Sequence, residues 1–185
     1  VVNDAETLTN VTAILALGAE AFKKVGTPKS PGTQLVSISG HIARPGVYEV
    51  EHGYPLKKFL FEDCGGMMPG ATLKCIIPGG ISTKVLTAAE IEHVTYDHAS
   101  FNAAGSSLGS GGMIVLNDST DMVDVARYFM QFCRDESCGK CIPCRAGTVQ
   151  MDTILQRFVA GSPVPSDLSR LESLCRMVKE TSLCG

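Results

Sequence analysis

The chain has 185 residues, of which 44% are hydrophobic and 19% charged, with a net charge of −3; this is the composition of a folded globular protein with a core to bury. Its mild acidity offers no electrostatic footprint for nucleic acid or an anionic membrane, and no run reaches the roughly 18–20 apolar residues that span a bilayer. Taken in chain order, the first apolar period is Leu8, Val11, Leu15 and Phe22, widened by Ile14, Leu17 and Ala21. It predicts a helix from Asp4 to about Lys24, ended by Gly26 and Pro28. Thr27–Gly32, rich in Pro, Ser and Gly, reads as a linker.

A β region follows. Gln34–Ile42 is the first strand, Pro45-Gly46 a turn, and Val47–Glu51 the return strand with Tyr48 and Val50 on one face. Pro55–Phe61 suits a short helix closed by Cys64-Gly65-Gly66. Leu73–Ile77 is a further strand ended by Pro78-Gly79-Gly80, and Thr83–Leu86 another. The segment from Ala104 to Gly112 is a Gly/Ser loop leading into the strand Met113–Leu116. It lacks the Gly-Lys-Ser/Thr ending of a phosphate loop and opens a strand, not a helix, so it reads as a connector.

The last third changes period. Ser119 or Thr120 caps a helix carrying Met122, Ala126, Phe129, Met130 and Cys133. After a cysteine loop, a second helix carries Met151, Ile154, Leu155, Phe158 and Val159, broken by Gly161 to Pro165. Ser166 caps a third, with Leu168, Leu171, Leu174, Cys175 and Val178 inward. The expected architecture is α+β: a small sheet unit followed by an α-helical bundle with the cysteine motif at one end.

Neither end reads as a natural terminus: Val1-Val2-Asn3-Asp4 has no starter Met or signal-peptide order, and the chain stops just after Cys184. A piece of a longer protein is therefore expected. Eight cysteines without a secretion signal point to reduced thiols in a cytoplasmic compartment, some of them bound to metal.

Cys138, Cys141 and Cys144 stand at strict three-residue spacing, so a tight loop aims their sulfurs at one point, with Gly139 giving backbone freedom and Pro143 rigidity. Three such thiolates hold three corners of an iron–sulfur cubane, and a [4Fe–4S] cluster needs a fourth. Thr148 stands where a bacterial ferredoxin run would carry its next cysteine, so the fourth comes from elsewhere. Cys133 and Cys175 fall on apolar stripes, where cysteine acts as a small hydrophobe. Cys184 lies beyond the third helix with no stripe to fill, and a helix returning to the loop would deliver it; it is the expected fourth ligand. Lys140 and Arg145 beside the ligands would favour the reduced cluster, or are solvated surface charges. Zinc is the rival metal, but His41, His52, His93 and His98 all precede the motif, and three evenly spaced cysteines are a cluster habit. Cys64 and Cys75 read as packed thiols, and no hydrolytic constellation is present.

Glu136–Thr148, ESCGKCIPCRAGT, resembles the cluster motif of the NADH-oxidising flavoprotein subunit of respiratory complex I. The same family includes the diaphorase subunits of NAD-linked bidirectional [NiFe] hydrogenases and NAD-dependent formate dehydrogenases. Val2–Leu8, Ile38–His41, Pro45–Glu49, Cys64–Gly66, Ile77–Gly80, Gly109–Gly112 and Thr181–Gly185 are similar to further family segments, and Arg145–Met151 is most like the hydrogenase branch. The resemblance implies a β-grasp, SLBB-type domain over residues 34–117, a helical [4Fe–4S] domain over 118–185, and in 1–33 the end of an FMN/NADH-binding domain with its linker. It implies FMN and NAD(H) as cofactors of the full-length protein, with Asn3 matching an asparagine near the flavin and Asp4 replacing a second. It further implies single-electron transfer between FMN and iron–sulfur partner subunits through the cluster. The glycine-rich flavin- and nicotinamide-binding region would precede Val1, so the chain alone is expected to be inactive. A zinc-stabilised or apo interaction module is the alternative.

Overall fold

The computed structural model describes residues 2–184 and divides into two units, the first through Ser119 and the second from Thr120 onward. In the first unit, α1 spans Ala5–Leu17 and α2 Ala19–Phe22. The single helix expected over this stretch is broken at Gly18, which takes φ +86°, a conformation that L side chains resist. None of the α1 stripe is buried: Leu8, Val11 and Leu15 all face solvent. The expected linker is instead a small ribbon, β1 (Gly26–Thr27) against β2 (Ser30–Pro31).

The sheet that organises this unit has five strands: β3 (Thr33–Gly40), β4 (Gly46–Glu51), β6 (Leu73–Ile77), β7 (Leu86–Thr87) and β9 (Gly112–Asn117). Their order is β4-β3-β9-β6-β7. The β3–β4 hairpin is antiparallel, β3 runs parallel to β9, and β9 is antiparallel to β6. The period-2 pattern works as expected in β3, where Val36 and Ile38 are buried while Leu35, Ser37 and Ser39 point out. The sheet encloses α3 (Leu56–Lys58) and the π-helical turn that continues it over Phe59–Asp63. Leu56, Phe59 and Leu60 are buried among Val36, Ile38, Met113 and Val115. A mixed sheet gripping a short helix is the β-grasp arrangement expected.

Four elements have no counterpart in the sequence reading: β5 (Tyr54–Pro55) and β8 (Thr95–Tyr96), which pair with each other, the 3₁₀ turn Glu90–His93, and α4 (His98–Ala103) capped by Asp97. All are too short for a hydrophobic period to reveal. Gly79 and Gly109 meet backbone to backbone, and a Cβ on Gly109 would stand 2.0 Å from the Gly79 carbonyl oxygen. The Gly/Ser connector thus serves as a tight packing contact. Cys64 and Cys75 are buried, and desolvation pushes the Cys64 thiol up to about 11.

The second unit comprises α5 (Met122–Asp135), α6 (Ile142–Val159) and α7 (Asp167–Thr181). Asp121, not Ser119 or Thr120, caps α5, accepting from the amides of Val123 and Asp124. The core joins Met151, Ile154 and Leu174 with Met130, Phe158, Leu171 and Val178. Leu168 and Cys175, expected inward, are exposed. Leu171, Leu174 and Val178 pack inward as expected, and the inward face is completed by Asp167, which is buried to meet Arg157 of α6 through two hydrogen bonds. A second clamp, Arg134 to the buried Asp152, ties α5 to α6, and Gln156 donates to the same carboxylate at 2.9 Å.

Candidate metal centre

The helix after the cysteine loop begins earlier than its apolar stripe suggested. It starts at Ile142, inside the motif, with Cys141 as N-cap, Pro143 in the first turn and Cys144 at the third helical position. Two of the motif's sulfurs therefore stand at the N-terminal end of an 18-residue helix, where unpaired amides and the helix dipole favour negative charge. The Cys141 thiol is accordingly held below its ordinary value, chiefly by the Leu183 amide, then by the Cys144 amide and the Ser182 side chain. The contact with Leu183 also shows that the segment following α7 returns across the head of α6.

That return depends on close helix packing. Gly147 of α6 sits against Val178 of α7, and a Cβ at 147 would lie 2.4 Å from Val178 Cγ2. Beyond Thr181 the chain runs through Ser182 and Leu183 to Cys184. A cavity of about 310 Å³ results, lined by Cys138, Cys141, Cys144 and Cys184 together with Cys133, Phe132 and the loop from Glu136 to Lys140. Ser137 Oγ is 3.4 Å from Cys144 Sγ, Arg145 donates to the Ser137 carbonyl at 3.2 Å, and Thr148 donates to the Cys144 carbonyl at 2.8 Å. Lys140 and Arg145 are exposed.

The other two cysteines of the unit differ. Cys175 is not part of the cavity lining; its thiol faces Met151 Sδ at 3.6 Å. Cys133, read from the sequence as core, lines the cavity, and burial followed by the charge of Cys144 raises its thiol. Among the described residues no three His, Cys, Asp or Glu side chains close on a single ion. Thiols set around a cavity suit a polynuclear cluster, in which each sulfur meets its own iron, better than one tetrahedral ion that draws four sulfurs to about 2.3 Å. In the first unit Asn3 and Asp4 are exposed, and the Asp4 carboxylate caps α1 by accepting from the Thr7 amide at 2.7 Å and hydroxyl at 3.0 Å. The Thr7 amide holds that carboxyl below its usual range.

Residues 124–185 match the family profile of the NADH-ubiquinone oxidoreductase-F iron-sulfur binding region, and residues 35–81 match the SLBB domain. Over all 185 residues the chain is 41% identical to the second NADH-quinone oxidoreductase F subunit of Rhizobium meliloti (strain 1021). The chain is a homologue of the NADH-quinone oxidoreductase F subunit. It is also 40% identical, again along its whole length, to the HndC subunit of the NADP-reducing hydrogenase of Solidesulfovibrio fructosivorans. A solved NAD⁺-reducing [NiFe]-hydrogenase in the H₂-reduced state contains a chain that superposes on all of this one with a TM-score of 0.87 at 31% identity. This F-subunit homologue spans 44% and 38% of the two curated relatives and 31% of the hydrogenase chain. No helix among its described residues is long and apolar enough to cross a membrane.

The sequence reading did not find the residues that build the clamps, Arg134, Asp152, Arg157 and Asp167. Each lies on a helix whose apolar stripe gave the only periodic signal, and an ion pair across helices leaves no spacing rule to read. The cavity position of Cys133 was hidden for the same reason, since one thiol on a stripe looks the same facing a core or a cavity.

Proposed function

We propose that Cys138, Cys141, Cys144 and Cys184 hold a [4Fe–4S] cluster, and that the chain is the electron-relay portion of an NAD(H)-dependent flavoprotein oxidoreductase subunit. The observation that carries this reading is the single cavity at the head of α6, edged by those four thiols and not by Cys175. Bound FMN and cluster supply the conversion of a hydride's electron pair into single-electron steps. The chain's own part is positional and electrostatic. The α6 N-terminus and the Leu183 and Cys144 amides stabilise thiolate at Cys141, and the packing of α6 on α7 returns Cys184 to the loop.

In the full-length protein FMN and NAD(H) belong to the region preceding residue 34, with the exposed Asn3 and Asp4 beside the flavin. The electron partners are iron–sulfur subunits of a hydrogenase or complex I-like assembly in the cytoplasm. The Arg145–Met151 sequence and the likeness to the NAD⁺-reducing hydrogenase favour the hydrogenase diaphorase branch. The 185-residue chain alone neither binds nicotinamide nor turns over, and NADH–ferricyanide activity from it would contradict that.

The test is anaerobic reconstitution of the chain with iron and sulfide. The expected product is brown, contains about four irons and four labile sulfides per chain, and develops an EPR signal on reduction. A colourless protein with stoichiometric zinc would replace the relay with a zinc-stabilised module.

A further inference from the structure

Thiols are not the only polar groups around the cluster cavity. Two hydroxyls on separate segments lie beside the ligand sulfurs. Ser137 precedes the first cysteine; its Oγ is 3.4 Å from Cys144 Sγ, and Arg145 Nη1 pins its carbonyl at 3.2 Å. Ser182 lies between α7 and Cys184. Its Oγ is shielded from solvent and meets no partner of conventional hydrogen-bond geometry, and it faces the Cys141 sulfur alongside the Leu183 amide.

A buried hydroxyl without a partner costs free energy, so an adjacent thiolate is the acceptor it requires. Reduction by one electron adds negative charge to a site already carrying four thiolates. A donor to a ligand sulfur therefore stabilises the reduced cluster more than the oxidised one, and hydrogen bonds to the sulfurs are among the factors that set such potentials.

We propose that Ser137 and Ser182 are positioning residues that raise the cluster's reduction potential by donating their hydroxyl hydrogens to the sulfurs of Cys144 and Cys141. The inference rests on the ligand assignment above. Each reduction takes one electron from the poising reductant, and both hydroxyls keep their protons throughout.

An EPR-monitored redox titration of the reconstituted 185-residue chain tests it. Ser137→Ala and Ser182→Ala should retain wild-type iron and sulfide content and titrate at lower potential. At the wild-type midpoint the reduced fraction should fall several-fold, and further in the double variant. Ser137→Thr and Ser182→Thr, which keep the hydroxyl, should return towards wild type. Unchanged midpoints in both fully loaded alanine variants would overturn the inference and leave the ligand assignment standing. A wild-type chain that takes up no cluster would overturn both. If the alanine variants load poorly, loading restored by threonine supports the hydroxyl's role, and equal loss with threonine counts against it.

Discussion

Gly147 on α6 leaves a space that Val178 on α7 fills, with Val178 Cγ2 2.4 Å from where a Cβ would stand. Because α7 leads directly into the segment carrying Cys184, this contact sets how close the last thiol comes to the loop. Gly147→Ala should push the helices apart, destabilise the helical unit by about 1–3 kcal/mol and lower cluster occupancy. Urea denaturation followed by helical circular dichroism, with iron analysis of the same samples, measures both.

The two cysteines near the end of the chain should behave oppositely on substitution. Cys184→Ser removes a thiol from the cavity rim and should abolish most cluster content. Cys175→Ser alters a thiol that touches Met151 Sδ and should leave iron content and the EPR signal unchanged. The reverse pattern would make Cys175 the ligand.

Asp167 gives the helical unit a dependence on acid pH. Hydrogen bonds from Arg157 hold its carboxyl down to about 2, well below the value near 4 that it has in an unfolded chain. A depressed folded-state pKa contributes stability that is fully present above the unfolded value and lost as the pH falls through the folded one. The stability of the helical unit should therefore decline between about pH 4 and pH 2. Asp167→Asn should flatten that decline while lowering stability at neutral pH. Thermal melts read by circular dichroism across this range, wild type against variant, compare the two slopes.

Gly109 should be intolerant in a different way. It has φ +55°, and a Cβ there would stand 2.0 Å from the Gly79 carbonyl oxygen, a backbone atom that has no rotamer to move into. Gly109→Ala should destabilise the sheet unit by at least about 1–3 kcal/mol. Cluster content should stay at the wild-type level, because Gly109 and the four cavity cysteines Cys138, Cys141, Cys144 and Cys184 belong to separate units. Hydrogen exchange of the β9 amides together with iron analysis separates the two effects.

Much of the fold was legible because its signals are local. Alternation marked β3 and β4, an apolar period marked α5 and α6, and Pro-Gly pairs marked the turns. The break at Gly18, the strand pair β5–β8 and α4 were not, since each occupies fewer residues than one period needs to declare itself. On α7 the stripe of Leu171, Leu174 and Val178 was legible, while the exposure of Leu168 and Cys175 was not, because the buried Asp167 paired with Arg157 takes the inward position of the first turn.

The cluster loop shows where the division falls. The spacing of Cys138, Cys141 and Cys144 is fixed by covalent distance, so sequence alone put these three thiols on one short loop, and they line one cavity. It also marked Cys184 as the one remaining cysteine of the helical third without a packing role. Only the tertiary structure decided that α6 begins within the motif and presents its N-terminus to the sulfurs. The same is true of the arrival of Cys184 at the cavity rim with Ser182 against Cys141. Those relationships depend on how α7 packs on α6 some 30–40 residues later in the chain, and no local period encodes the meeting of two helices.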